Sequence, residues 1–156
     1  MSLTDEGRVL DVLDEAECRR LLPTVSIGRL GYTEGALPAI QPVSFGVRDG
    51  QVLIPTRAGS KVAAASRGAV VAFEVDYYHA ADRTGWSVTI VGPSRLVSDP
   101  AEVAALDSLG LVPWVPAPKR SYIAVQIALL HGRRVRALST DMHQVPAKTA
   151  GSPDSA

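Results

Sequence analysis

Short apolar runs recur along the first 138 residues, and most of them alternate with polar positions. Alternation over a few residues is typical of a strand with one buried face. Gly and Pro bound nearly every run, which indicates tight turns between neighbouring strands. We predict six or seven strands, drawn from residues 25–32, 37–47, 52–54, 69–75, 85–91, 94–97, 122–127 and 132–135.

Three helices are predicted between the strands, each opening on a residue whose side chain can cap a helix N-terminus. Asp14 begins the first, and Glu17 completes a capping box. Ser60 and Asp99 begin the other two. Because the strands are dense and their connections short, the pattern favours a mainly β (α+β) fold, a small antiparallel barrel with about three short helices packed outside.

The polar stretches between these elements are predicted to be loops. Residues 1–10 are expected to be loose, and residues 76–83 to form a polar loop. Gly92 followed by Pro93 is expected to break the strand that precedes it. From residue 139 onward the chain is polar with scattered Pro and Gly, so we predict one domain over residues 1–138 and a disordered tail over 139–156.

Composition and charge exclude several classes of function. Sixteen basic and sixteen acidic residues balance, so no nucleic-acid surface is indicated. The single cysteine, Cys18, excludes an intrachain disulfide and a cysteine-based zinc site, and we expect it on the apolar side of the first helix. No metal-ligand spacing is present. Without a long apolar run or a signal-peptide pattern, the sequence predicts a cytoplasmic protein with no membrane partner.

One stretch, residues 52–68, combines a strand, a Gly turn and a helix start. The free N–H groups and positive dipole end of a helix N-terminus favour an anion. Thr56, Arg57, Ser60 and Lys61 add two hydroxyls and two cations at this place. They fit a phosphate, although the spacing is not that of a P-loop and a capped surface helix would look similar.

The chain resembles the pyridoxamine 5'-phosphate oxidase-like, flavin-binding split-barrel proteins over about residues 13–135. The order and spacing of several short pieces carry this resemblance. They are Leu13-Asp14-Glu15-Ala16-Glu17-Cys18, Ile27-Gly28-Arg29-Leu30, Pro42-Val43-Ser44-Phe45, Gly59-Ser60-Lys61, Val71-Ala72-Phe73-Glu74-Val75-Asp76, Thr84-Gly85-Trp86-Ser87-Val88, Pro113-Trp114 and Gly132-Arg133-Arg134-Val135.

The resemblance implies a split-barrel homodimer with flavin mononucleotide (FMN) in a groove between subunits. It places the flavin phosphate on Thr56, Ser60 and Lys61, next to Arg57. It also places Pro42, Val43, Ser44 and Phe45 along the flavin ring, and Trp86 and Ser87 in the cofactor groove, from either subunit.

The implied function is that of a flavin-dependent oxidoreductase acting on a small organic substrate, with no acid–base residue identified. Related branches use a deazaflavin coenzyme or bind haem. A deazaflavin-dependent reductase, or a flavin- or haem-binding module without turnover, therefore remains as an alternative. Arg133 and Arg134 are candidates for holding a substrate.

Other notable residues are expected to be structural. Glu74 interrupts an apolar strand, and a buried carboxylate needs a partner, for which Arg29 and Arg95 are candidates. Trp114, in a Pro-rich loop, is expected to anchor that loop. His79 is expected to be solvated.

Overall fold

The computed structural model describes residues 3–60, 62–63, 66–117 and 120–138. Ten strands lie within these ranges, more than the six or seven predicted, because long apolar runs divide and the first residues add a hairpin. The strands are β1 Leu3–Asp5, β2 Arg8–Leu13, β3 Ile27–Glu34, β4 Leu37–Ser44, β5 Gly46–Arg48, β6 Gln51–Arg57, β7 Val70–His79, β8 Thr84–Val97, β9 Arg120–Gln126 and β10 Leu129–Ala137.

The helices begin at the predicted caps. Helix α1 spans Glu15–Leu21, and the Asp14 carboxylate accepts a 2.8 Å hydrogen bond from the backbone N–H of Glu17. A 3-10 turn, Leu22–Thr24, follows it. Helix α2 spans Pro100–Asp107 and is capped by Asp99 in the same manner.

The strands form two antiparallel sheets that share β8. The larger sheet has the order β1-β2-β10-β8-β7-β3-β4, and the smaller sheet has the order β5-β6-β9 and joins β8 through β9. Strand β4 lies at the edge of its sheet, where it pairs with β3. It can contain Pro38 and Pro42 because no second strand of that sheet needs the N–H groups that proline lacks. This is the predicted split-barrel architecture.

Strand β8 passes from one sheet to the other without a break, contrary to the interruption predicted at Gly92 and Pro93. Its first part pairs with β7 and β10, and its last four residues pair with β9. The change of sheet occurs at Gly92, where an added Cβ would fall on the carbonyl oxygen of Gln126. Glycine is therefore used here for close backbone approach and not to end a strand.

Two predicted loops are partly strand. Residues 3–5 and 8–10 belong to β1 and β2, and β2 pairs with β10 along Arg8–Leu13. Strand β7 continues through the polar residues to His79, because it remains paired with the start of β8. The prediction of a disordered tail concerns residues 139–156, which lie outside the described part of the chain.

The core lies between the two sheets. Fully buried residues of the larger sheet include Leu30, Phe73, Val88 and Ile90, and Cys18 of α1 is also buried, as predicted. A smaller cluster lies under α2 on the other face of the smaller sheet and contains Leu53, Val97, Tyr122 and Ala124. Within the described residues, no helix is long and apolar enough to cross a membrane.

The carboxylate in the apolar strand β7 has one of its two predicted partners. Glu74 lies 3.5 Å from the Arg29 guanidinium, which also lies 3.3 Å from Asp76. Arg95 instead pairs with Glu102. Partial burial, together with the neighbouring Asp76 carboxylate, raises the pKa of Glu74.

Helix α1 is joined to β10 by an ion pair at the barrel end. The Glu17 carboxylate accepts hydrogen bonds from Arg20 at 2.6 Å and from Arg134 at 2.7 Å. These two guanidinium groups lower the pKa of Glu17 from 4.5 to about 2. Because Arg134 is bound to Glu17, it is less available than Arg133 to hold a substrate.

This ion pair should make stability depend on acidity. A carboxylate with a lowered folded-state pKa stabilises the fold above its unfolded pKa and loses that contribution as the pH falls, here from about 4.5 towards about 2. Glu17→Gln should therefore flatten the loss of melting temperature over this pH range, measured by circular dichroism. Glu15→Gln, whose partner Arg19 is on the same helix, is the control and should keep the native slope. An unchanged slope in Glu17→Gln would contradict this account.

Candidate functional site

A groove lies at the seam of the barrel, between the free edges of β4 and β6. Its volume is about 220 Å³. We call it the seam groove. Most of its lining is apolar, which suits a largely organic ligand. The lining residues are Gln41, Pro42, Val43, Ile54, Pro55, Thr56, Arg57, Ser60, Val62, Trp114 and Val115.

The groove exists because β6 loses one partner halfway along. Strand β5 pairs with β6 only as far as Leu53, whereas β9 pairs with it as far as Arg57. Pro55 lies in the part of β6 that has one free side. A proline is tolerated at such an edge, and the opposing edge, β4, also carries one at Pro42.

Two hydroxyls meet at one end of the seam groove. Thr56 Oγ1 and Ser60 Oγ lie 3.2 Å apart. Ser60 Oγ also accepts a 3.2 Å hydrogen bond from the backbone N–H of Ala63, so it caps the helical turn as predicted. Thr56 is only 8% exposed, so its hydroxyl is oriented by packing before any ligand arrives.

The charge of the seam groove is positive. Arg57 lines it, and no carboxylate does so among the described residues. Within that part of the chain, Arg57 also has no ion-pair partner. The second predicted cation, Lys61, lies outside the described residues, and its place at the site stays a prediction.

The segment 42–45 runs from the seam groove into a second one. Pro42 and Val43 line the seam groove. Ser44 and Phe45 line a neighbouring groove of about 410 Å³, and the loop after α2 forms another side of it. We call it the loop groove. Phe45 is buried there, and its ring meets Phe73 edge-on with centroids 4.9 Å apart.

Trp86 and Ser87 lie elsewhere in the chain. They line a separate groove of about 410 Å³ at the other end of the sheet, together with Tyr77, Tyr78 and Arg133. Within one chain the structure therefore brings seven of the predicted residues to two adjoining grooves and leaves these two apart. They would reach the seam groove only from a second copy.

Sequence reasoning missed the contribution of the Pro-rich loop. Trp114 and Val115 line the seam groove, and Trp114 is 56% exposed, so it does not anchor the loop through burial as expected. Gln41 was also missed. The available signal was the pair Pro113-Trp114, an aromatic residue between turn residues, but it does not reveal which groove the loop covers.

Acid–base groups are scarce around the site. Of the described residues that line the seam groove, only Arg57 carries a charge, and none is histidine. His79 lies at the surface, with Nδ1 3.0 Å from the Asp82 carboxylate. No group of three or more His, Cys, Asp or Glu residues in the described ranges could hold a metal ion. The hydroxyls and the guanidinium are suited to an anion, and the described residues that line this groove include no carboxylic acid or histidine to donate a proton in catalysis.

Known proteins are similar to this chain in sequence and in fold. The family model for pyridoxamine 5'-phosphate oxidase matches residues 14–134. A Mycobacterium tuberculosis protein, the uncharacterized protein Rv0080, is 42% identical over 128 residues, which cover 79% of this chain and 84% of that protein.

Solved structures show the same fold. The FAD-binding protein from Mycobacterium smegmatis is 33% identical with a TM-score of 0.67, over 80% of this chain and 97% of that one. A Corynebacterium glutamicum protein, provisionally named a pyridoxamine 5'-phosphate oxidase, is 30% identical with a TM-score of 0.71, over 83% of this chain and 99% of that one. The chain belongs to the pyridoxamine 5'-phosphate oxidase family.

Proposed function

We propose that this protein binds a flavin nucleotide, FMN in the simplest case, and acts as a flavin-dependent oxidoreductase on a small organic substrate. The observation that carries the proposal is the end of the seam groove, where the paired hydroxyls of Thr56 and Ser60 adjoin Arg57, which has no ion-pair partner among the described residues. Hydroxyls and a guanidinium are the donors that a phosphate needs.

The donor set fits the phosphate of a flavin. Two hydroxyls can each donate one hydrogen bond, and the Arg57 guanidinium can donate two more to oxygens of the same group. The absence of carboxylates among the described lining residues removes the main source of repulsion. FAD carries the same ribityl phosphate as FMN, so these residues would serve either, and the M. smegmatis relative is an FAD-binding protein.

Bound flavin would supply the redox chemistry by accepting and returning a hydride or electrons. The chain's own residues hold and orient it. Thr56, Ser60 and Arg57 would bind the phosphate end, and Pro42, Val43 and Phe45 would give apolar surface along one side. Since the described lining holds no acid or base, the protein contributes positioning and exclusion of water.

A bound flavin should be visible in the purified protein as absorption bands at about 375 and about 450 nm, whereas a Soret band would indicate haem.

Once reduced, the flavin should return its electrons to an added quinone faster than free reduced FMN does. Stopped-flow absorption measures both rates. Equal rates would support the second candidate, a flavin-binding protein without turnover, which the M. smegmatis relative favours. A colourless protein that reduces substrate with a deazaflavin would identify the deazaflavin alternative.

The phosphate site can be tested by a change that keeps the helical turn capped. Asp and Asn both cap helices, so Ser60→Asp and Ser60→Asn should fold equally well. The added carboxylate should weaken FMN binding by about a hundredfold, or roughly 3 kcal/mol, whereas Asn should cost tenfold or less. Flavin fluorescence titration measures both.

Riboflavin, which has the flavin ring but no phosphate, is the ligand control for this pair of variants. Its affinity should be nearly the same in the native protein, Ser60→Asp and Ser60→Asn. If Ser60→Asp weakened riboflavin as much as FMN, the substitution would be acting on the fold, and if it weakened neither, the phosphate would lie elsewhere.

We also propose a homodimer, on the basis of an apolar stripe across the outer face of the larger sheet. Directly paired residues of five strands form it, and directly paired residues share a face. The neighbouring positions Leu30, Phe73 and Ile90 are fully buried, so the stripe faces away from the core. It consists of Ile40, Gly31, Ala72, Val91 and Leu129.

This stripe has the character of an interface core. Ile40 is 73% exposed and Leu129 is 56% exposed at its two ends. A row of polar residues lies beside it, including Arg29, Glu74 and His131, which resembles the polar rim of protein interfaces. Ile40 also lies on β4, the strand that borders the seam groove, so a second copy seated on the stripe would lie beside the cofactor site.

Sedimentation should report about twice the 16.5 kDa chain mass. Ile40→Asp combined with Leu129→Asp places two charges in the stripe and should yield a folded monomer. Leu109→Asp, an exposed apolar residue in the turn after α2, is the control and should remain dimeric. A native monomer that binds flavin would show that the dimer is not needed.

A further inference from the structure

The seam groove and the loop groove adjoin each other, and they share one lining residue, Trp114. The segment 42–45 crosses from the first to the second along β4. Pro42 and Val43 face the seam groove, and Ser44 and Phe45 face the loop groove. Three residues of extended chain span on the order of 10 Å, so the two grooves form one elongated surface with Trp114 at its middle.

Trp114 is held at this place by the loop that carries it. Leu111 packs against the cluster under α2 and against Gly46, where an added Cβ would lie 2.9 Å from Leu111 Cδ2. Pro113 and Pro116 flank the tryptophan and restrict the backbone between them. The loop is therefore fixed at its base, while the indole itself remains 56% exposed.

An exposed indole fixed beside a groove is suited to stacking on a planar ligand. Stacking of aromatic rings stabilises a complex beyond the area it buries. The phosphate-binding groups lie at the β6 end of the seam groove, so a ligand extending along residues 42–45 would bring its ring system to the middle of the surface. Among the described residues, Trp114 is the aromatic side chain that lines both grooves, whereas Phe45 lines only the loop groove and is buried.

We propose that Trp114 stacks on the ring system of the bound flavin and positions it, with the phosphate at Thr56 and Ser60. This inference rests on the proposed function and extends it to a residue outside the predicted cofactor set. The resemblance places Trp86, and not Trp114, in the cofactor groove. Trp86 lines the separate groove with Tyr77 and Arg133.

The chain contains two tryptophans, and these make a matched pair of variants. Stacking against an indole quenches flavin emission, so flavin bound to the native protein should be nearly dark. Trp114→Ala should raise the emission of bound flavin several-fold, whereas Trp86→Ala should leave it dark. Because Trp114 is largely exposed, its removal should leave the melting temperature unchanged.

Affinities separate a ring contact from a phosphate contact. Trp114→Ala should weaken FMN and riboflavin by the same factor, about tenfold, because both carry the ring. Trp114→Phe keeps an aromatic face and should recover part of that loss. Ser60→Asp should differ from this pattern, because it should weaken the binding of FMN and leave the binding of riboflavin nearly unchanged.

Two results would overturn the inference. Bound flavin that stays dark in Trp114→Ala, with both affinities native, would show that the indole does not touch the ring. Emission that rises in Trp86→Ala instead would assign the stacking to Trp86, which reaches the seam groove only from a second copy. A native protein that binds neither FMN nor riboflavin would overturn the proposed function itself, which is a different outcome from either of these.

Discussion

The architecture depends on one strand belonging to two sheets. Strand β8 pairs with β7 and β10 over most of its length and with β9 over its last four residues. The transfer requires the backbone at Gly92 to approach the carbonyl of Gln126 so closely that no side chain fits. Because both sheets are tied to this strand, they enclose a common core but cannot close fully on each other.

The candidate binding residues Thr56, Arg57 and Ser60 lie at the seam left by this arrangement. β4 ends the larger sheet, and β6 has a free side beyond Leu53, so two unpaired edges face each other. Pro42 and Pro55 on these edges lack the N–H groups that would favour further strand pairing. A seam that resists closure by hydrogen bonding remains available for a ligand, and the hydroxyls of Thr56 and Ser60 lie at its end.

The candidate site was predictable where it depends on local sequence. The cap at Ser60 and the cluster around Thr56 and Arg57 follow from a strand, a turn and a helix start within a dozen residues. The position of Trp114 was not predictable in this way. It is more than fifty residues from Ser60 along the chain, and tertiary packing, including that of Leu111 against Gly46, holds its loop at the same groove.

The sequence by itself determined the mainly β class, the caps of α1 and α2, and the cap at Ser60, because each depends on neighbours a few residues apart. The tertiary structure decided the rest. The first residues pair with β10, β7 extends to His79 although its end is polar, and β8 continues through Gly92. In each case the deciding hydrogen bonds come from a paired strand, which is β10 for β2 and the neighbouring strand of the hairpin for β7 and β8, and local propensity does not report whether such a partner is present.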